Sequence, residues 1–303
     1  MEKAILKTLI YADVFDYPLR AWEVHKWLIS PPVGWAGKQT ILRQVEKVLN
    51  KLVQSEKCKV KSGYYFLHGR GGIVKRRQLR EKQSGKFLRK ARICAWFLKI
   101  IPWIRLVGIS GGLAMGNSSK ADDIDLYIIT ARDRLWLSRL LILGILSLSG
   151  QRRMVAHSKK EAAGKICPNI LIDEDHLIEN RQDIYTAHEI LQMKVLWQRE
   201  GIYQKYLENN SWAFKFLPNW VGDRIKNNEL RIKHKKHSSS FLLLYSIFDI
   251  FENLAKKFQM WYMKSPQGME RIKDGVLYFH PNDMRPQVLD RYKQKIKHII
   301  GTP

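Results

Sequence analysis

The segment from Gly108 to Thr130, GISGGLAMGNSSKADDIDLYIIT, constrains the fold more than any other part of this chain. It starts at the end of an apolar run, WIRLVGIS, turns at a pair of glycines, and ends in a second apolar run, IDLYIIT. Apolar runs of this length, bounded by glycine and polar residues, predict two buried strands. Glycine allows a sharp backbone turn and a close approach to a bulky group, so we expect a tight connection after the first strand.

Two carboxylates, Asp123 and Asp125, lie at the start of the second apolar run. Residues two apart on a strand point to the same face, so the two side chains are expected to lie side by side, with Asp122 pointing away. Unneutralised carboxylates repel each other and are costly to bury. A divalent cation removes that cost, and Mg²⁺ prefers oxygen ligands. The pair therefore predicts a Mg²⁺ site.

The turn before the acid pair contains Ser110, Gly111 and Gly112, with Gly116 one turn later. If a helix begins at the glycine pair, its free N–H groups and positive dipole end favour a phosphate. Glycines that hold phosphate, next to carboxylates that hold Mg²⁺, are the parts that phosphoryl or nucleotidyl transfer requires. These residues are therefore expected to contact a nucleoside triphosphate.

The same segment resembles the signature of the polymerase-β-like nucleotidyltransferase superfamily. In that signature a strand is followed by Gly-Gly or Gly-Ser, a Gly one turn later, and Asp-x-Asp on the next strand. Gly111, Gly112, Gly116, Asp123 and Asp125 match its order and spacing. The wider chain is similar to uncharacterised bacterial nucleotidyltransferase-domain proteins through segments such as ICPNILIDEDHL and YFHPNDMRPQVLDRY. The resemblance implies a mixed β-sheet with flanking helices, ATP or another NTP as donor, and two Mg²⁺ ions held by the aspartates.

In that superfamily a third carboxylate on a later strand completes the site and often acts as general base. We expect that strand in KICPNILIDED, with Asn169 facing the site and Asp173 following with the same parity. Asparagine coordinates a metal weakly and cannot accept a proton. Two alternatives stay open. Either Asp173 is the third metal ligand and catalytic carboxylate while Asn169 contacts the nucleotide, or the third ligand is missing and the domain is catalytically degenerate.

The pattern along the chain predicts an α+β protein in four parts. Residues 1–72 form three helices and a hairpin around Ser62-Gly63, which is the order of a winged helix, and residues 73–102 form a basic linker helix. Residues 103–180 alternate strand and helix, and the resemblance implies that they are the nucleotidyltransferase domain, a mixed β-sheet with flanking helices. Residues 181–303 are expected to be a helical C-terminal domain.

The composition is strongly basic, with 53 Lys and Arg against 28 Asp and Glu and a net charge of +25. A charge of this size attracts polyanions, so nucleic acid is the expected partner, either an RNA acceptor or DNA bound through residues 38–67. Three cysteines without zinc-site spacing indicate buried thiols in a reducing compartment. No signal peptide and no bilayer-length apolar stretch are recognised, so we expect a cytoplasmic protein with no integral membrane segment.

Two functions follow from these features. The first is Mg²⁺-dependent transfer of an NMP from an NTP to an acceptor hydroxyl. The net charge favours RNA as the acceptor over the two alternatives, a small hydroxylated molecule and a protein side chain. The alternative is a catalytically degenerate nucleotidyltransferase-fold protein that acts as a nucleic-acid-binding regulator.

Overall fold

The structure is a computed structural model that describes residues 1–29, 42–154, 158–220, 242–263, 271–279 and 283–301. Its N-terminal part contains α1 (Glu2–Asp13), α2 (Ala21–Lys26), α3 (Leu42–Gln54) and a hairpin of β1 (Cys58–Lys61) and β2 (Tyr64–Leu67). Ser62 and Gly63 both have positive φ, as a two-residue type I′ turn requires. Three helices and a hairpin agree with the expected order, while the winged-helix assignment stays a prediction. Residues 38–41 of the 38–67 stretch lie outside the described residues.

The central element is a mixed sheet with the strand order β6-β3-β4-β5-β8-β7. Its strands are β3 (Ile104–Ile109), β4 (Ile124–Thr130), β5 (Ile166–Asp173), β6 (Lys194–Gln198), β7 (Arg271–Lys273) and β8 (Val276–Tyr278). β4 and β5 run parallel, and every other neighbouring pair is antiparallel. The three apolar runs identified in the sequence form β3, β4 and β5, which are covered on both faces. The predicted α+β class with a mixed sheet is confirmed.

Helices cover both faces of this sheet. The first face packs against α1 to α3 and against α8 (Ile184–Gln192), α9 (Ile202–Asn209), α10 (Ala213–Phe216) and α12 (Arg285–Ile300). The second face packs against α4 (Ile73–Leu98), α6 (Leu135–Leu148) and α11 (Leu242–Tyr262). Two one-turn helices, α5 (Gly111–Ala114) and α7 (Lys159–Ala162), lie in connections between strands.

Side chains alternate between two hydrophobic cores along the central strands. On β4, Tyr127 and Ile129 belong to the core of the first face, whereas Leu126 and Ile128 belong to that of the second. Asp125 is two residues before Tyr127, so it lies on the first face, towards α8. The first core is continuous from α1–α3 to the sheet, so the N-terminal helices share it with the central domain.

The expectation of a purely helical region after residue 180 is wrong. The segment DIYTAHEILQMKVLWQRE forms α8 and then β6, which pairs with β3. In this short apolar stretch the residue pattern fits both a helix and a strand. Residues 194–198 form a strand because their backbone hydrogen-bonds to the edge of β3. A second hairpin, β7–β8, also joins the sheet from the C-terminal region. No described helix is both long and apolar enough to cross a lipid bilayer, and the cytoplasmic location stays a prediction.

Candidate active site

The glycine turn follows β3 directly. Ser110 is a buried, extended residue at the N-cap of α5, although its side chain makes no capping hydrogen bond. Gly111 and Gly116 have φ of +61° and +71°, the left-handed region that favours glycine. The Gly112 carbonyl accepts a hydrogen bond from the Asn117 backbone N–H at 2.7 Å, which closes the turn. The expected helix start at the glycine pair is present, but the helix is only one turn long.

The acid pair lies beside this turn. Asp123 immediately precedes β4, and Asp125 is its second residue. Ile109 pairs with Leu126, so the residues that follow Ile109 continue alongside Asp125. One oxygen of each aspartate and the sulfur of Cys167 lie within 4.8 Å of one another. The two carboxylates therefore converge, with a thiol from the neighbouring strand.

Burial and mutual repulsion set the electrostatics of this group. Burial, followed by the charge of Asp123, raises the pKa of Asp125 to about 7. Burial and the two carboxylates raise the pKa of the Cys167 thiol to about 12, so the thiol stays protonated near neutral pH. The two carboxylates offer the oxygen ligands that suit a hard cation, whereas the protonated Cys167 thiol is a poor ligand for one.

A bulge in β5 directs Asn169 to this site. Leu126 pairs with Pro168 and Tyr127 with Ile170, which leaves Asn169 as an extra residue with no register partner on β4. The buried Asn169 side chain donates a hydrogen bond from Nδ2 to Asp125 Oδ1 at 3.0 Å. An amide therefore lies where the superfamily resemblance implies a third carboxylate.

The same register takes Asp173 away from the pair, which corrects its assignment as a metal ligand and catalytic residue. Asp173 pairs with Thr130, five positions beyond Asp125, a separation of about 16 Å along the strand at about 3.3 Å per residue. After the bulge, Asp173 also alternates onto the face opposite that of Ile170 and Ile172. Its carboxylate instead accepts the Asp175 N–H at 3.0 Å and contacts His176 Nδ1 at 2.6 Å.

Arg153, which the sequence analysis did not identify, contacts the acid pair. Its Nε lies 3.0 Å from Asp123 Oδ2, but the two atoms lack hydrogen-bond geometry. Within the described residues, that buried Asp123 oxygen accepts no hydrogen bond. Arg153 also directs Nη1 to the Cys167 sulfur at 3.8 Å. The guanidinium thus supplies part of the positive charge that the carboxylates need, and no local motif in QRRMVAHSKK indicates this role.

Glu189 on α8 is a third acid that the sequence analysis missed. The Gly111 backbone N–H and the Gln192 side-chain amide both donate hydrogen bonds to its carboxylate. Burial raises the pKa of Glu189 to about 7, and its charge in turn contributes to the raised pKa of Asp125. The first N–H of the glycine turn, expected to bind a phosphate, is therefore engaged by a carboxylate in this structure.

A divalent cation fits the acid pair. Asp123 Oδ2 is a buried acceptor without a hydrogen bond among the described residues, and Asp125 is close enough to share an ion with it. Asp123, Asp125 and Cys167 are the one group of three metal-ligand side chains found in the described ranges. The Arg153 guanidinium lies beside the Asp123 oxygen that is open to such a cation.

Comparisons with known proteins identify no family. No protein-family model matches the chain, and no curated protein matches its sequence. One solved structure, described as the crystal structure of a toxin-antitoxin with AMP-PNP, is similar over 44% of this chain and 89% of its own, at 16% identity and a TM-score of 0.24. A likeness this low carries no argument about function.

Proposed function

We propose that the protein is a Mg²⁺-dependent nucleotidyltransferase that moves an NMP from an NTP to an acceptor hydroxyl. The supporting observation is the convergence of the Asp123 and Asp125 oxygens within 4.8 Å, beside the Gly111–Gly112 turn. Two carboxylates on one face are costly to bury, and a cation offsets that cost. The acid pair lies next to a glycine turn, and backbone N–H groups in such turns can bind the phosphates of a nucleotide.

The acid pair, the glycine turn and Arg153 have separate roles in this proposal. Asp123 and Asp125 hold Mg²⁺, which supplies charge neutralisation for the phosphates when bound. Gly111 and Gly112 allow close approach of the triphosphate, with Ser110 and Gly116 shaping the turn. Arg153, whose guanidinium lies beside Asp123, pairs with a phosphate oxygen in this proposal.

The transfer itself needs one proton acceptor. The acceptor oxygen forms a bond to the α-phosphorus, the bond from that phosphorus to the bridging oxygen breaks, and pyrophosphate leaves. Asn169 cannot accept the hydroxyl proton. Glu189, whose pKa is raised to about 7 by burial, is the carboxylate outside the metal pair that is suited to accept it near neutral pH.

The acceptor in this proposal is RNA. The net charge of +25 favours a polyanion over a small neutral molecule. On α3, the side chains of Arg43, Lys47 and Lys51 are exposed, within the 38–67 stretch expected to bind nucleic acid. These side chains supply a phosphate-binding surface outside the catalytic site.

The second candidate function is that of a nucleic-acid-binding regulator with a catalytically degenerate site. Three contacts favour it: Asn169 on Asp125, Arg153 beside Asp123, and Glu189 on the Gly111 N–H. Together they occupy Asp125, one side of Asp123 and the Gly111 N–H without a cation or a phosphate. The two candidates differ in whether Mg²⁺ and a nucleotide replace these contacts.

Transfer of label from nucleotides separates the candidates. Purified protein is incubated with Mg²⁺ and each NTP labelled at the α-phosphate, with and without bulk RNA, and in parallel with γ-labelled NTP. Nucleotidyl transfer moves the α-label to an acceptor and releases the γ-label in pyrophosphate. We expect incorporation of the α-label, and its loss in Asp123→Ala and Asp125→Ala.

Asp122→Ala is the matched control. Asp122 is exposed, and its carboxylate accepts hydrogen bonds from the Ser119 N–H at 2.8 Å and hydroxyl at 2.6 Å. This variant removes an adjacent acid without touching the pair, so it should keep its activity. If the folded protein transfers no label to any acceptor but binds nucleic acid in a salt-sensitive way, the transferase proposal is wrong and the regulator is favoured.

A further inference from the structure

Large apolar side chains follow the outer side of α11. They are Ile247, Phe251, Leu254, Phe258 and Trp261, and they are from 49% to 61% exposed. Their spacing of three or four residues places them on one face of the helix. A surface helix turns polar residues to solvent, so an apolar outer face indicates that a partner covers it.

The opposite side of α11 already has a partner, α6. There Glu252 accepts hydrogen bonds from the backbone N–H groups of Trp136 at 2.7 Å and Leu137 at 2.8 Å. The buried Gln259 donates a hydrogen bond from Nε2 to the Trp136 carbonyl at 2.8 Å. These polar contacts hold the inner side of α11, and the outer apolar side chains take no part in them.

The end of α4 presents a second apolar group beside α11. Ile93 and Trp96 are 61% and 65% exposed, and Ile100, just beyond the helix, is 74% exposed. Trp103 follows this end of α4 and contacts Phe248 of α11, with ring centroids 5.0 Å apart. Both helices also contribute to the core on the second face of the sheet. The two apolar groups therefore lie on neighbouring elements.

Cations continue the same face of α4. Lys82, Lys86 and Arg89 precede Ile93 and Trp96 at the same spacing of three or four residues, so all five side chains form one row along the helix. The three cations are exposed, and none of their side chains forms a hydrogen bond or an ion pair with a described residue. The row on α4 thus passes from unpaired positive charge to apolar side chains.

This combination of charge and apolar surface favours one kind of partner. Nucleic acid offers phosphates to the cations and flat bases to the indoles, but little apolar surface for the aliphatic side chains. A second copy of the chain would bring together two net charges of +25, which repel each other. An anionic lipid bilayer offers both negative head groups and an apolar interior.

We propose that α11 and the row on α4 dock the protein on the surface of an anionic lipid bilayer. Trp96 and Trp261 enter the boundary between head groups and acyl chains, where indole rings are favoured. Lys82, Lys86 and Arg89 lie against the lipid phosphates. This role goes beyond the proposed nucleotidyl transfer, because it uses neither the acid pair nor Mg²⁺.

Vesicle flotation tests this surface. Full-length protein in EDTA, without nucleotide, is mixed with vesicles of phosphatidylcholine alone or of phosphatidylcholine with phosphatidylglycerol. We expect binding to the anionic vesicles to be at least about tenfold stronger, because each cation near the bilayer contributes about fivefold. The net charge of the chain would by itself favour anionic vesicles, so variants of the apolar side chains decide between simple adhesion and docking.

Trp96→Ser and Trp261→Ser should each weaken binding about tenfold or more, because each removes an indole that the bilayer buries. Trp22→Ser is the matched control, because Trp22 is an exposed indole on α2, and it should change binding less than about twofold. Lys86→Gln should weaken binding about fivefold, and Lys61→Gln, the same change at an exposed position on β1, should have a smaller effect. Circular dichroism checks that each variant is folded.

Four results would each overturn the proposal. The first is no binding to anionic vesicles. The second is equal binding of the folded Trp22→Ser, Trp96→Ser and Trp261→Ser variants, which would leave only adhesion through net charge. The third is a dimer, measured by light scattering without lipid, that Trp261→Ser converts to a monomer, because a second copy would then cover α11. The fourth is RNA binding that Trp96→Ser weakens while vesicle binding stays unchanged, which would assign the row on α4 to nucleic acid.

Discussion

Replacement of Asn169 by aspartate tests the acid site most directly. The Asn169 Nδ2 atom lies 3.0 Å from Asp125 Oδ1, so Asn169→Asp places an oxygen against a carboxylate where an N–H donor now lies. The variant adds a third carboxylate beside the acid pair. Its behaviour depends on whether a cation enters the site.

The structure sets the size of the effect without metal. A hydrogen bond to a charged group contributes about 1.5–3 kcal/mol, and repulsion between the new carboxylate and Asp125 adds to its loss. We therefore expect Asn169→Asp to lower the free energy of unfolding in EDTA by about 2 kcal/mol or more. For a chain of this size each kcal/mol corresponds to a fall in Tm of about 2–4 °C or less.

Mg²⁺ should reverse this loss. A ligand that binds only the folded state stabilises it by about 2.7 kcal/mol at a concentration of about 100 times its Kd. Three carboxylates bind Mg²⁺ more tightly than two, so Mg²⁺ should raise the Tm of Asn169→Asp by more than that of the unmodified protein. Thermal unfolding followed by circular dichroism, in EDTA and in excess Mg²⁺, measures both shifts.

Asn169→Leu is the control for this experiment. It removes the hydrogen bond without adding charge, so its Tm should fall by a similar amount with and without Mg²⁺. If Asn169→Asp is as stable as the unmodified protein in EDTA, or if Mg²⁺ stabilises both equally, then residue 169 does not face a cation site.

Three other predictions concern buried groups and the glycine turn. Burial lowers the pKa of His188 from 6.5 to about 3, so below pH 6.5 only the unfolded chain gains this proton. The free energy of unfolding should then fall by up to about 1.4 kcal/mol for each unit that the pH is lowered. Urea unfolding between about pH 7 and about pH 5 measures this slope, which His188→Phe should reduce. An unchanged slope would contradict the lowered pKa of His188. Arg77→Met removes the buried partner of Glu23 and should lower the free energy of chemical unfolding by about 3–5 kcal/mol. The loss should be smaller in the double variant with Glu23→Gln. A loss below about 1 kcal/mol in Arg77→Met would refute the role of this ion pair. Gly111→Ala and Gly150→Ala place a side chain at φ of +61° and +63° with no atom within 4 Å of the new Cβ. Each should lower the free energy of unfolding by about 1 kcal/mol, but only Gly111→Ala should weaken Mg²⁺-nucleotide binding, and equal binding would argue against a role for the turn.

The central strands and the glycine turn were predictable from local pattern. The runs WIRLVGIS, IDLYIIT and ICPNILID are apolar and bounded by polar or glycine residues, and they form β3, β4 and β5. Strand alternation has a period of two, so the common direction of Asp123 and Asp125 also followed from their spacing. The hairpin at Ser62-Gly63 followed from backbone conformations that glycine makes accessible.

The composition of the site beyond the acid pair was not predictable in this way. A single bulge in β5 brings Asn169 to Asp125 and turns Asp173 to the opposite face. In a regular strand the two residues, four positions apart, point to the same face, so the sequence alone places Asp173 on the face of the acid pair. Bulges depend on pairing between strands, which local propensity does not specify. The sequence left open whether Asp173 is a third metal ligand, and the strand register places Asp173 away from the acid pair.

Contacts between distant segments follow the same rule. Apolar periodicity and glycine positions fixed where strands begin and turn, because those signals act over a few residues. Arg153 beside Asp123 and Glu189 on the Gly111 N–H depend on how α8 and the segment after α6 pack against the sheet. Packing between elements far apart in the chain leaves no periodic trace in either segment, so these two contacts emerged only from the folded arrangement.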